Sequence, residues 1–85
     1  MNINECKMLI GEFISGADIS ISLANRIEVL LDDSFPHDEH IQETVEMLAR
    51  YSPIGGDYLY DDKAVRSRLR ATMNYLLSNI NLPVK

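Results

Sequence analysis

Four stretches of this chain repeat apolar residues at helical spacing, and each is bounded by residues that stop helices. In the first stretch Ile3, Cys6, Leu9, Ile10 and Phe13 fall on one side, and Gly16 follows as a left-handed cap. The second runs from about Ser20 to Asp32. Ser20 is placed to accept a hydrogen bond from the first turn, and Leu23, Ile27, Leu30 and Leu31 form the apolar stripe. Ile19-Ser20-Ile21-Ser22-Leu23 also alternates like a strand. No second run of that kind exists to pair with it, and a lone strand leaves its backbone groups unsatisfied.

Asp33-Ser34-Phe35-Pro36 interrupts the pattern, because proline disfavours helix in the residue before it and suits a first turn. The third helix then runs to about Tyr51. Ile41, Val45 and Leu48 point one way, and Glu39, Glu43 and Glu46 point nearly the opposite way. Ser52-Pro53-Ile54-Gly55-Gly56-Asp57 is a loop, continued through Tyr58-Leu59-Tyr60. Asp61 or Asp62 caps the last helix. Its stripe is Val65, Leu69, Thr72, Leu76 and Ile80, and Lys63, Arg66 and Arg70 share a neighbouring face. Leu82-Pro83-Val84-Lys85 reads as a frayed tail. The expected fold is all-α, an antiparallel four-helix bundle with mostly short links.

Length and charge bound the function. Residues 1–85 are expected to form one domain. A chain this short buries only about 60–65% of the surface its unfolded form exposes, which leaves little room for an internal active-site cavity. Cys6 is the only cysteine, so no internal disulfide can form, and this favours the cytosol. The start, MNINECKMLIGEFISG, lacks a basic leader followed by a long apolar stretch, and no apolar run reaches the length of a membrane span. A net charge of −5 weighs against direct binding of nucleic acid and suits a partner with a basic surface.

The acidic charge is segregated. Glu28, Asp32, Asp33, Asp38, Glu39, Glu43, Glu46, Asp57, Asp61 and Asp62 are opposed between those limits only by Arg50, whereas the last helix carries Lys63, Arg66, Arg68 and Arg70. A charge run of this kind is ordinarily a solvated face that keeps a small protein soluble. It is also what steers a basic partner into place. Tyr58 and Tyr60 lie among Asp57, Asp61 and Asp62. They either anchor an interface or cover the end of the small core. The candidate partner-binding set is therefore Asp32, Asp33, Glu39, Glu43, Glu46, Asp57, Tyr58, Tyr60, Asp61 and Asp62.

Other constellations carry less. His37-Asp38-Glu39-His40 places two histidines three apart but brings no third strong ligand, so no metal is expected. Cys6, on the apolar face, reads as a small buried hydrophobe. Gly55-Gly56 lacks the Lys and Ser/Thr of a phosphate loop. The carboxylates are plentiful but unshielded, and acid–base chemistry needs a pocket that shifts their pKa values. Neither a catalytic residue nor a cofactor is expected.

The order of features is nonetheless familiar. A first helix ends in Phe13-Ile14-Ser15-Gly16, and Ile19-Ser20 opens a second that carries Leu23 and Ile27. A third ends in Leu48-Ala49-Arg50-Tyr51-Ser52-Pro53. Tyr60-Asp61-Asp62-Lys63-Ala64-Val65 then leads through Arg66-Ser67-Arg68-Leu69 to Leu76-Leu77. Over nearly its whole length the chain resembles the colicin D immunity family and similar immunity proteins of bacterial contact-dependent inhibition systems. The resemblance implies a four-helix cytoplasmic protein, a monomer that forms a 1:1 heterodimer with the nuclease domain of a cognate toxin. In that family the toxin cuts transfer RNA, and acidic groups of the immunity protein lie where RNA phosphates would lie. Two other readings stand beside it. One is an acidic helical adaptor or regulatory subunit that docks a host protein. The other is a small metal-dependent enzyme using His37 and His40.

Overall fold

The computed structural model describes residues 3–80, with side chains described as far as Ser78. The helices are α1 (Ile3–Ser15), α2 (Ile21–Ser34), α3 (Glu39–Ala49) and α4 (Asp62–Ile80). Among the described residues there is no strand, only an isolated bridge between Tyr51 and Tyr60. The side chain of Ile80 and the tail Leu82-Pro83-Val84-Lys85 lie outside the described residues.

The starts of α2, α3 and α4 are each fixed by a short polar side chain that accepts a backbone N–H which the helix itself leaves unpaired. Ser20 Oγ accepts from Leu23 N at 3.0 Å. Asp38 Oδ1 accepts from Ile41 N at 3.0 Å. Asp61 Oδ1 accepts from Ala64 N at 2.9 Å, so Asp61 is the cap of α4 and Asp62 is its first residue. Gly16, at φ 84°, ends α1 in the left-handed region.

Three boundaries differ from the sequence reading. α2 continues two residues further, to Ser34, whose hydroxyl donates to the Leu30 carbonyl at 2.6 Å. α3 begins at Glu39 rather than at Pro36, because Asp38 takes the cap position and leaves Pro36 and His37 in the turn before it. α3 stops at Ala49, two residues short of the expected Tyr51. Tyr51 is drawn out of the helix because the backbone on either side of it pairs with Tyr60: Ser52 N donates to Tyr60 O at 2.8 Å, and Tyr60 N donates to Arg50 O at 2.9 Å.

α1 packs against α2 and α4, and α3 packs against the same two. Their apolar stripes meet in one core of Cys6, Leu9, Ile10, Phe13, Leu23, Ala24, Ile27, Leu31, Ile41, Leu48, Tyr51, Val65, Leu69 and Leu76. Val45, expected in the stripe of α3, is only partly buried, and Thr44 takes the fully buried position beside it. Phe13 and Tyr51 meet edge to face, with ring centroids 5.1 Å apart. Two long-range hydrogen bonds gather four helix ends at one pole. Arg66 Nε donates to Ile14 O at 3.0 Å, and the Tyr51 hydroxyl donates to Ile19 O at 2.5 Å. No described helix is long and apolar enough to cross a membrane.

Candidate functional site: an acidic helix face and an apolar loop

The positions of Glu39, Glu43 and Glu46 follow from helical spacing. With Ile41, Thr44 and Leu48 buried, residues on the other side of α3 face solvent, and all three glutamates are exposed. Glu43 lies 3.4 Å from Arg68, a long and largely solvated contact, since the Glu43 side chain is 67% exposed. Pairs of that kind contribute about 0–1 kcal/mol. Asp62 lies 3.4 Å from Arg66. Among the described residues Asp32, Asp33, Glu39, Glu46, Asp57 and Asp61 form no ion pair.

The loop after α3 is fixed by its own backbone. Its ends are joined by the two hydrogen bonds at Tyr60, and inside it Gly55 N donates to Ser52 O at 2.9 Å and Leu59 N to Gly56 O at 3.1 Å. Gly55 at φ 73° and Gly56 at φ 137° supply turns that L residues rarely make. Tyr58 adopts φ 62° without being glycine. The loop holds Ile54, Tyr58 and Leu59 in solvent, the first two more than 90% exposed at 94% and 92%. Tyr60 is partly exposed and shares a cleft of about 240 Å³ with Glu43, Glu46, Met47, Arg50 and Arg68.

Beneath the glutamate face, α3 and α4 meet through buried polar groups. Thr44 and Thr72, both fully buried, place their hydroxyls 2.7 Å apart. Arg68 reaches across from α4, donating through Nε to Thr44 Oγ1 at 2.8 Å and through its terminal nitrogen to the His40 carbonyl at 2.7 Å. Thr44 donates to the same carbonyl at 3.2 Å, and His40 Nε2 lies 3.3 Å from Thr72 Oγ1. One proton order satisfies every bond: His40 Nε2–H donates to Thr72, Thr72 to Thr44, and Thr44 to the His40 carbonyl. The His40 ring stacks on Tyr75 at 4.4 Å, and the Tyr75 hydroxyl donates to Asp38. No buried side-chain nitrogen or oxygen among the described residues lacks a partner.

These contacts set the local ionisation. Burial, and then the Arg68 guanidinium, hold His40 below its ordinary pKa, while Asp38 and Glu43 oppose them. Burial pushes the Asp38 carboxyl up, but the Tyr75 hydroxyl and the backbone N–H groups of Ile41 and His40 outweigh it and leave the group lowered. Burial, followed by the neighbouring charge of Glu5, pushes the Cys6 thiol up to about 11. The thiol is therefore protonated at neutral pH, as expected of a packed hydrophobe rather than a nucleophile.

The structure brings together part of the set named from sequence. Glu43, Glu46 and Tyr60 line one cleft, Glu39 stands one turn along α3, and Asp57, Tyr58 and Asp61 belong to the adjoining loop. Asp32 and Asp33 lie in the last turn of α2, beside the start of α3. They are separated from the loop by the length of α3, its 11 residues spanning about 16 Å at 1.5 Å per residue. Asp62 is half-buried and turned toward Arg66. Tyr58 does not cover the core; Tyr51 does, at 6% exposure. His37 is exposed and His40 is committed to the seam, and no group of three His, Cys, Asp or Glu among the described residues is placed to hold a metal.

Sequence reading missed Ile54 and Leu59, although an isoleucine between Pro53 and two glycines has no helix in which to bury itself. It also missed the role of Arg68. The signal was Thr44, which falls three residues after Ile41 and four before Leu48, on the buried side of α3.

Comparisons with protein-family models, with curated proteins and with solved structures find no match to this chain.

Proposed function

We propose that this protein is an immunity protein, which binds and neutralises a nuclease toxin of basic surface, most simply one that cuts transfer RNA. The reading takes the four helices as an antiparallel bundle, the protein as a cytoplasmic monomer, and the complex as 1:1. One observation carries it. The exposed carboxylates of Glu39, Glu46, Asp57 and Asp61, flanking the weakly paired Glu43, are left without cationic partners among the described residues.

A nuclease site is basic because it must hold phosphates. A row of carboxylates on a rigid helix can occupy the same field and exclude the nucleic acid. Long-range attraction raises association toward ~10⁸ M⁻¹s⁻¹ at low salt. The working surface is the outer face of α3 together with the loop that follows it. Asp32 and Asp33, at the other end of α3, contribute field rather than contact.

The experiment is co-purification with the product of the gene immediately upstream, followed by titration of its nuclease domain at several ionic strengths and a nuclease protection assay. Affinity is expected to fall steeply with salt. Changing Glu39, Glu43 and Glu46 together to Gln should lower the association rate by about tenfold or more. Unchanged binding by the triple variant would remove α3 as the docking face, and a complex insensitive to salt would remove the phosphate-mimic mechanism.

A further inference from the structure

We propose that residues 53–60 form a preformed anchor, inserting Ile54 and Tyr58 into an apolar pocket ringed by lysine or arginine on a partner protein. The proposal deepens the binding-module reading above and rests on it.

Three observations point to this. First, Ile54 and Tyr58 are 94% and 92% exposed and are the two most exposed large apolar side chains among the described residues, only four positions apart. Exposed apolar groups gathered in this way mark contact surfaces. Second, the loop is ordered by its own hydrogen bonds at Tyr60, Gly55 and Leu59, so little freedom remains to be lost on docking. Leu59 turns back toward Gly56, where a Cβ would come within 3.2 Å of its Cδ1, and Ile54 and Tyr58 are left as the presented pair. Third, Tyr58 sits at φ 62°, where a side chain is strained, yet its exposed ring gains almost nothing from its own chain in return. A glycine would fit that backbone better, so the ring needs a use outside the molecule.

The charge of the loop selects the partner. Asp57 and Asp61 flank the apolar tip, are exposed, and form no ion pair among the described residues. A second copy of the chain is a poor occupant: a two-fold contact at this loop would bring the same carboxylates together, on molecules each of net charge −5. A cationic rim around an apolar pocket satisfies both halves of the loop.

The test does not depend on the toxin. A random 12-residue peptide library is panned on the wild-type protein, and the recovered peptides are synthesised and titrated against wild type, Tyr58→Gly, Ile54→Ser and Val29→Ser. Val29 is an exposed apolar residue of α2, remote from the loop in sequence. Thermal melts establish that each variant folds. The expected result is a consensus of Lys or Arg around an apolar or aromatic residue, with binding at least tenfold weaker to Tyr58→Gly and Ile54→Ser and unchanged for Val29→Ser. Peptides that bind the loop variants as well as wild type, a consensus without basic residues, or no binders at all overturn the proposal. So does a wild-type dimer in sedimentation that Tyr58→Gly dissociates. Loss of nuclease binding with a positive panning result would instead overturn the toxin reading alone.

Discussion

The seam between α3 and α4 and the loop that joins them reverse the usual arrangement in opposite senses. The seam buries polar groups: Thr44, Thr72 and the inner atoms of Arg68 meet where leucines would ordinarily pack. The loop exposes apolar ones, Ile54, Tyr58 and Leu59. The difference lies in compensation. Every buried hydroxyl in the seam has a partner, so the desolvation penalty is offset inside the molecule and the pairing fixes how α3 sits on α4. The exposed rings and methyls of the loop have no such offset within the chain, and a partner is the natural place to find it.

Three changes test the contrast. The largest effect belongs to Arg68→Met, which keeps much of the stem but removes the donors to Thr44 and to the His40 carbonyl. Charge-assisted hydrogen bonds of this kind contribute ~1.5–3 kcal/mol, and a loss of about 2–3 kcal/mol is expected in urea unfolding. A loss below about 0.5 kcal/mol, the range of an ordinary surface substitution, would show that the seam does not hold the helices together. Thr72 and Thr44 would then be only well-fitting core residues.

The second effect is smaller and opposite in sign. Tyr58→Gly relieves a left-handed backbone that costs an L residue about 1–2 kcal/mol, against which glycine loosens the unfolded chain by about 0.5–1 kcal/mol. The variant should match the wild type or exceed its stability by up to about 1 kcal/mol. A clear loss would mean that the Tyr58 ring does support the fold, and the contrast between loop and seam would weaken.

The smallest effect is the pH slope from His40. Burial and Arg68 hold its folded-state pKa below the ordinary 6.5, so the unfolded chain takes up the proton first as pH falls. The contribution is complete above about 6.5 and declines as pH falls toward the folded-state value. Denaturation midpoints followed from pH 8 to 5 should drift down in the wild type, and His40→Gln should flatten that part of the drift. A midpoint that rises on acidification would reverse the sign and place the ring nearer Asp38 and Glu43 than Arg68 in electrostatic influence.

Much of the fold was legible because it rests on local rules. Ser20 and the Asp61-Asp62 pair announce helix starts, the structure choosing Asp61 of the two, and Gly16 announces an end through its tolerance of positive φ. The stripes were legible for the same reason, since a period of 3.6 needs only neighbouring residues. The site was legible in part. The exposed carboxylates of α3 follow from the stripe opposite them, whereas the place of Asp32 and Asp33 depends on where α2 ends relative to the loop. Composition alone could not separate Tyr51 from Tyr58, one buried on Phe13 and the other in solvent, because both are tyrosines next to turn residues.

By itself, then, the sequence determined four helices, the caps at Gly16, Ser20 and Asp61-Asp62, most of the buried sides and an acidic outer face on α3, all of them consequences of spacing within a few turns. Tertiary structure decided which polar groups went inside. The reach of Arg68 to Thr44 spans 24 positions and that of Tyr51 to Ile19 spans 32, and neither bond exists until the helices are packed. Tertiary structure also decided that the loop is pinned at Tyr60 and leaves Ile54 and Tyr58 outside. The two backbone hydrogen bonds that pin it join the end of α3 to the approach of α4, and their geometry is set by the core beneath.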